Sequence, residues 1–332
     1  VRRILSVAAA ITVLAAGAAA AWFFTHRPEP EVHRLSVRET AREIAYLPHY
    51  LAAALGYFED NGLHLSLTTA PRGIVDPAQD KAELYLVPLD RLMVDGPVAF
   101  AALTGKDPNF LLSREAKPDF KWENLKEYTV IGDPPDTVGE VALEEILRRL
   151  ELVPQTHVTV IQHLPVHLRV GAFLAGTGSF IILPDPMAAY LEKSETGYVL
   201  VSLAEAGEIP SRVCAATPEF LQTHPDVALG YCLAVFQAQE WIAQKSPEEI
   251  AVAAAPFFPY LDLETLTRVI ARNKETGLWA PNPLVEESAY QNLQNWLIQS
   301  GELPQAVPYH QAVEPSFARE AVEGGALPVP QQ

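Results

Sequence analysis

The chain is poor in sulfur and in positive charge. Its 332 residues include two cysteines, Cys214 and Cys232, and two methionines. Two thiols exclude a disulfide-framework fold and a four-thiolate zinc site. Lysine and arginine number 24 against 41 acids, for a net charge of −17. Three of the bases, Arg2, Arg3 and Arg27, precede Glu29, the first acid, so the remainder is more acidic still. Such a body repels phosphate backbones, which argues against a nucleic-acid partner. Signatures of common chemistry are missing as well. No G-x-S-x-G elbow occurs. Gly171–Gly178 (GAFLAGTG) is like a phosphate loop only superficially: it lacks the Lys-Ser/Thr pair and closes a helix instead of opening one. His163 and His167 are separated by Pro165 and have no acidic neighbour, so ordinary polar histidines are favoured over a metal site. Both cysteines lie in apolar stretches and read as buried, inert thiols, with an extracytoplasmic disulfide as the lesser alternative. No internal repeat of roughly 20–50 residues is visible.

Apolar residues are abundant, at 49%. That composition supplies a sizeable core and excludes a disordered chain, and the length suggests about two domains. Arg2-Arg3 precede an uncharged run from Ile4 to Phe24, about long enough to cross a bilayer as a helix. Basic residues at its start predict a cytoplasmic N-terminus and an extracytoplasmic body. Residues 1–28 are therefore expected to be a signal peptide or a membrane anchor. Small residues at Ala18–Ala21 suit cleavage, whereas Trp22, Phe23 and Phe24 suit the interface of a retained anchor. The length of the run favours anchoring by residues 4–24. A lipid anchor is excluded, because Leu14-Ala15-Ala16-Gly17 is followed by Ala18 and not by cysteine. Arg27–Glu31 (RPEPE) reads as a short, stiff linker.

From about Val32 to Ala216, strand and helix patterns alternate, which predicts an α/β fold. Strands are expected at Arg34–Arg38, Leu63–Leu67, Ala82–Val87, Val98–Leu103, Thr129–Ile131, Val158–Gln162, Phe180–Leu183 and Ser211–Ala216. Helices are expected at Pro48–Leu55, with Pro48 as its first residue and Gly56 as its stop, then at Thr137–Leu150 and Pro165–Ala175. Beyond Ala216 the pattern turns helical, with apolar stripes in Val227–Gln244, Pro247–Ala255, Asp262–Asn273 and Glu286–Gln299. Polar and aromatic loops lie at the strand ends: Tyr46–Tyr50, Val87–Asp90, Thr104–Asp107, Gly132–Gly139 and Pro184–Pro186. In open α/β sheets a small molecule binds beyond the carboxyl ends of strands, which makes these loops the candidate site.

Four stretches together resemble the periplasmic substrate-binding proteins of ABC importers for nitrate, sulfonates, taurine and thiamine-precursor pyrimidines. They are Pro48–Leu67 (PHYLAAALGYFEDNGLHLSL), Leu103–Glu115 (LTGKDPNFLLSRE) with Phe120–Lys126, Gly171–Leu191 (GAFLAGTGSFIILPDPMAAYL), and the helical part Pro218–Gly301. The resemblance covers about residues 33 to 320. It implies a two-lobe periplasmic-binding-protein (type II) fold with two crossovers, near Leu112–Glu115 and Ala206–Arg212. Lobe 1 would be discontinuous, at 32–113 and 212–320, lobe 2 would span 114–211, and 321–332 would be a flexible tail. It further implies an extracytoplasmic, monomeric solute-binding component, without catalysis or cofactor. Its partners would be a small-molecule ligand and the ABC permease and ATPase subunits.

Two departures stand out. Only Ala70–Lys81 fills a place where the family carries a full helix, and Asp133-Pro134-Pro135-Asp136-Thr137 replaces a Gly-rich, anion-friendly turn. A neutral or cationic planar ligand of thiamine-type pyrimidine character is expected in place of an anion. Tyr46, Pro48, His49, Tyr50, Asp90 and Thr104 would contact it from lobe 1, and Asp133, Asp136, Thr137 and Asp185 from lobe 2. Core packing of Tyr46 and Tyr50, and capping of the helix at Met187 by Asp185, are the structural alternatives. The functional alternatives are a pyrimidine-synthase-like enzyme of the same superfamily, whose Cys-rich iron motif is missing here, and an anchored sensory or orphan module.

Overall fold

The structure, a computed structural model, describes residues 32–70, 81–92, 96–164 and 166–325. The expected anchor or signal at 1–28, the linker Arg27–Glu31 and most of the short 70–81 stretch lie outside the described residues. Among the described residues no helix is long and apolar enough to cross a membrane.

Among the described residues, ten strands form two mixed sheets of five. The first contains β1 (His33–Glu39), β2 (Leu63–Thr69), β3 (Leu84–Pro88), β4 (Val98–Ala102) and β10 (Arg212–Ala216), in the order β2-β1-β3-β10-β4. The second contains β5 (Asn109–Ser113), β6 (Thr129–Ile131), β7 (Thr159–Ile161), β8 (Phe180–Pro184) and β9 (Tyr198–Ser202), in the order β7-β6-β8-β5-β9. β10 runs antiparallel to both β3 and β4, and β5 antiparallel to both β8 and β9. These two strands enter their sheets directly from the crossovers at residues 103–108 and 203–211.

Twelve α-helices surround the sheets: α1 (Leu47–Ala54), α2 (Tyr57–Asp60), α3 (Val138–Arg149), α4 (Val166–Leu174), α5 (Met187–Lys193), α6 (Pro218–Thr223), α7 (Pro225–Gln244), α8 (Pro247–Ala254), α9 (Leu263–Glu275), α10 (Glu287–Ser300), α11 (Tyr309–Ala312) and α12 (Ser316–Gly325) among the described residues. Their starts follow side-chain chemistry. Thr137 caps α3, Asp262 caps α9, and Ser246 with Glu249 forms a capping box on α8.

One apolar core joins one face of the first sheet to α1, α2, α7, α8 and α9, through residues such as Val37, Leu86, Phe100, Tyr231 and Leu266. A second joins its other face (Val87, Ala99, Val213) to Leu111, Val130 and Ile182 of the second sheet. It also takes in Val141 of α3 and Trp296 of α10. Helix α10 packs directly on α3. The C-terminal part therefore touches both sheets.

Three expectations are corrected. Asn109–Ser113, placed with lobe 1, hydrogen-bonds into the second sheet, so the first crossover precedes it and does not lie at Leu112–Glu115. All five of its residues are buried, the polar Asn109 and Ser113 included, and three apolar residues in a row between them show no alternation by which to recognise a strand. The helix expected from Pro48 starts at Leu47. The tail expected from 321 is helical through Gly325, because Ala318 and Ala321 pack into the first core.

Candidate functional site

The carboxyl ends of the parallel strands meet at the crossovers. On the first sheet, β3 ends at Pro88 and passes into the short 3-10 turn Leu89–Leu92, which carries Asp90 and Arg91. Arg212 opens β10 opposite Pro88. On the second sheet, Asn109 opens β5 opposite Pro184, β6 leads into Gly132-Asp133, and β8 leads into Asp185. These strand ends form a polar seam at the crossovers.

Ion pairs fill much of that seam. Arg212 Nε donates to Glu43 Oε2 at 2.9 Å. Arg169 pairs with Asp133, which also accepts from Asn109 Nδ2 at 3.4 Å. Gly139 has no side chain because a Cβ there would collide with both Asn109 and Asp133. Asp185 is 2% exposed and fully committed. It accepts from Arg272 Nε at 2.7 Å, a second time from the same guanidinium, from Asn273 Nδ2 at 2.8 Å and from the Ala189 backbone at 3.2 Å.

Three ion pairs run from one sheet's side to the other: Arg272 to Asp185, Lys193 to Asp262, and Arg91 Nη1 to Asp136 Oδ2 at 2.9 Å. The last is open to solvent, with both side chains about half exposed. Asp136→Asn is accordingly expected to change unfolding stability by less than about 1 kcal/mol, as urea titration would read. A larger loss would show that this pair carries the closure of the seam.

Three further carboxyls are buried. Asp90, with a side chain 2% exposed, lies 3.3 Å from Arg91 Nε, but neither of its oxygens has a hydrogen-bond partner. Burial pushes its pKa up to about 6 against the pull of Arg91 and Arg212. Asp107 accepts from the Asn109 backbone at 2.9 Å through Oδ1, and its Oδ2 has no partner. Burial pushes this group up to about 7. Glu140, in the first turn of α3, accepts from the Asp133 backbone at 3.0 Å and from Gln162 Nε2 at 2.9 Å. Burial raises it to about 8, so it is largely a neutral acid at pH 7.

The aromatic part of the expected site is placed elsewhere. Tyr46, Pro48, His49 and Tyr50 are all buried. Tyr46 shares a hydrogen bond with Thr40 Oγ1 at 2.9 Å. The His49 ring packs against Phe58 and Tyr231 and shares a 2.9 Å hydrogen bond with the Tyr231 hydroxyl. Burial lowers its pKa to about 3, which keeps it neutral. Tyr50 donates to Glu39 Oε2 at 2.5 Å and stacks on Phe257, with the Arg42 guanidinium 5.0 Å from its centroid. Thr104 accepts from the Arg212 backbone at 2.8 Å, and Thr137 spends its hydroxyl on Pro134 O and the cap of α3. The structure thus brings Asp90, Asp133, Asp136 and Asp185 to the seam and commits the tyrosines and His49 to the interior. Sequence reasoning passed over Asp107, although it quoted its loop, and passed over the four arginines.

A cavity of about 140 Å³ adjoins the first crossover, lined by Thr104, Lys106, Glu208 and Trp279, and one of about 410 Å³ is lined by Lys117, Phe120, Tyr128 and Phe180. Neither includes the seam carboxyls. Both cysteines are free and buried, and burial pushes the Cys214 thiol up to about 12. His163 and His167 are exposed, and no three His, Cys, Asp or Glu side chains among the described residues could hold a metal ion.

No family model matches the chain. It is 28% identical over 305 residues, 89% of this chain and 91% of the relative, to the candidate binding protein YtlA of Bacillus subtilis (strain 168). Among solved structures it resembles the periplasmic nitrate-binding protein NrtA of Synechocystis PCC 6803, with a TM-score of 0.69, 14% identity and 90% of each chain covered. It also resembles the ligand-binding component of an ABC-type import system from Staphylococcus aureus, with a TM-score of 0.68, 15% identity and coverage of 88% and 99%. The desulfurization enzyme DSZB matches similarly, with a TM-score of 0.65, 12% identity and coverage of 88% and 99%. The chain has the α/β periplasmic-binding-protein fold that the ligand-binding components of ABC import systems share.

Proposed function

We propose that the protein is the solute-binding component of an ABC importer. One lobe is built on each sheet, and a small molecule held between them is presented to a permease coupled to an ATPase. The carrying observation is the convergence of both sheets' carboxyl ends on one polar seam flanked by two crossovers. Binding there gains from closure only if both lobes touch the ligand. Similarity to importer components and to a candidate binding protein supports the reading. The site is extracytoplasmic, the monomer is held at the membrane by residues 4–24, and the ligand is neutral or cationic, with thiamine-type pyrimidines the favoured class. Because DSZB has the same fold, an enzyme remains the rival reading. The buried, proton-retaining thiols speak against a cysteine nucleophile in this chain.

A thermal-shift screen of the protein against pyrimidines, amines, sulfonates, nitrate and bicarbonate tests the proposal. A true ligand at a hundred times its Kd adds about 2.7 kcal/mol to apparent stability. No response to any class would count against capture. Permease and ATPase genes beside this one would separate import from an orphan sensory role.

A further inference from the structure

The first crossover is not a bare connection. On one side it is laced to the loop between α9 and α10. Ala102 N donates to Pro283 O at 2.7 Å, Ala280 N to Leu103 O at 3.1 Å and Gly105 N to Leu278 O at 2.9 Å. Thr104 and Trp279 form an antiparallel bridge. Lys106 Nζ donates to Thr276 O at 3.0 Å, and Trp279 Nε1 to Ile44 O at 3.0 Å. On the other side the first crossover meets the second. There Ile209 N donates to Gly105 O at 2.9 Å, and Leu103 N to Arg212 O at 2.9 Å. The joint between the two sheets is thus three chain segments wide, with the first crossover in the middle.

The cavity of about 140 Å³ lies where those three segments meet. Lys106 lines it from the first crossover, Glu208 from the second and Trp279 from the loop, with Leu284, Glu286 and Ala289 from the start of α10.

We propose that this cavity is a second ligand site, which takes a compact apolar molecule bearing an ammonium group and stiffens the joint when filled. That its filling regulates solute capture rests on the capture reading.

Such a volume suffices for a molecule the size of benzene. Trp279, Leu284 and Ala289 offer it apolar contact, and an indole also attracts a cation. Charge at the rim sets the sign. Glu208 and Glu286 are exposed carboxylates, against one ammonium, Lys106, which already donates to Thr276 O. Bending at the joint shifts the three segments relative to one another. A molecule wedged among them holds one arrangement, and any difference in its affinity between arrangements becomes coupling to the cleft.

The test uses the full chain with cyclopentylammonium, its neutral counterpart cyclopentanol and its anionic counterpart cyclopentanecarboxylate. Each is present at about 10 mM, a concentration suited to fragments of few atoms. At pH 7 and constant ionic strength, cyclopentylammonium should raise the thermal midpoint and shift tryptophan emission. It should bind about tenfold more tightly than either counterpart. Glu208→Gln and Glu286→Gln, at exposed positions, should each weaken it about threefold and together about tenfold. Ala289→Leu, which enlarges a side chain in the cavity wall, should abolish it. Glu248→Gln, which removes an exposed carboxylate outside the lining, should change nothing. Hydrogen exchange at the Gly105, Ile209 and Ala280 amides should slow about threefold or more with the probe bound.

A cyclopentylammonium response that survives both the double variant and Ala289→Leu overturns the site, as does preference for the neutral or anionic probe. Binding without slower exchange at those amides overturns the stiffening. If nitrate, a sulfonate or a pyrimidine stabilises the protein while cyclopentylammonium is silent, capture stands and this site falls. If no solute class responds in the thermal-shift screen while the cavity variants still abolish the cyclopentylammonium response, capture falls and the site stands.

Discussion

Replacing Arg272 by alanine should destabilise the fold by about 3–5 kcal/mol, the range observed when one partner of a buried ion pair is removed. Asp185 is 2% exposed and takes two bonds from this guanidinium, which also donates to Glu192 Oε2 at 2.6 Å and lies 4.8 Å from the Phe110 centroid. Without it, Asp185 keeps only Asn273 and one backbone amide. Urea unfolding followed by tryptophan fluorescence reads the loss. The double variant Arg272→Ala/Asp185→Asn should recover part of it, with a coupling of about 1–3 kcal/mol, because the buried charge is then removed along with its partner. A single-variant loss below about 1 kcal/mol would mean that water reaches Asp185 and that the tie between α9 and the second sheet is weak. The same measurement bears on function. Asp185 has no acceptor capacity left for a ligand, so it acts as a clasp between α9 and the second sheet.

That outcome illustrates which parts of the site were legible in the sequence. Asp90, Asp133, Asp136 and Asp185 could be found because they follow strands whose apolar runs are plain, and the ends of such strands are where polar groups gather. Their partners could not. Arg91 meets Asp136 from 45 residues away, Arg272 meets Asp185 from 87, and Arg212 meets Glu43 from 169. No local pattern distinguishes these arginines from solvated ones. Asp107 shows the same limit, since an acid in a proline-rich loop looks like an ordinary turn residue until its burial is known. Tyr46, His49 and Tyr50 fail in the other direction. Aromatic and imidazole groups at a helix start suit a ligand or a core equally, and only the rings supplied by Phe58, Tyr231 and Phe257 decide for the core.

The fold was more legible than the site. Thr129–Ile131 matches its strand, and the α3, α7, α8, α9 and α10 patterns fall within a few residues of their helices. Amphipathic periodicity and caps persist over enough residues there to dominate. The short strands β5 and β9 went unrecognised. Five residues give too little pattern, and β5 is buried along its whole length. Division into lobes is also less clean than a two-sheet count suggests, because the second core runs from Val87 and Val213 across to Leu111 and Val141. Opening of the seam would have to leave that continuous packing largely intact, so a bend at the crossovers fits better than wide separation.

The pH dependence of stability provides the second large effect, and it centres on Glu140. Its folded pKa of about 8 lies far above the ordinary 4.5, because burial penalises the carboxylate more than Gln162 and the Asp133 amide support it. The folded state therefore holds a proton that the unfolded chain releases above pH 4.5. Stability from this group is complete at low pH and is lost as the pH rises through 8. Asp107 and Asp90, raised to about 7 and about 6, act in the same direction. His49 acts oppositely. Lowered to about 3, it contributes stability above pH 6.5 that is lost as the pH falls toward 3. Comparing wild type with Glu140→Gln cancels the other three groups.

The amide keeps the shape of the acid, can still accept from the Asp133 backbone, and cannot ionise. Between pH 5 and pH 8 the wild type should lose about 3–4 kcal/mol relative to Glu140→Gln, from a shift of about 1.4 kcal/mol per pKa unit. At pH 5 the two should be close, and at pH 8 the variant should be the more stable protein. A pair of urea series at the two pH values measures this directly. Parallel pH profiles for wild type and variant would mean that water hydrates the Glu140 carboxylate in the folded protein, and that the start of α3 is more open than its burial implies.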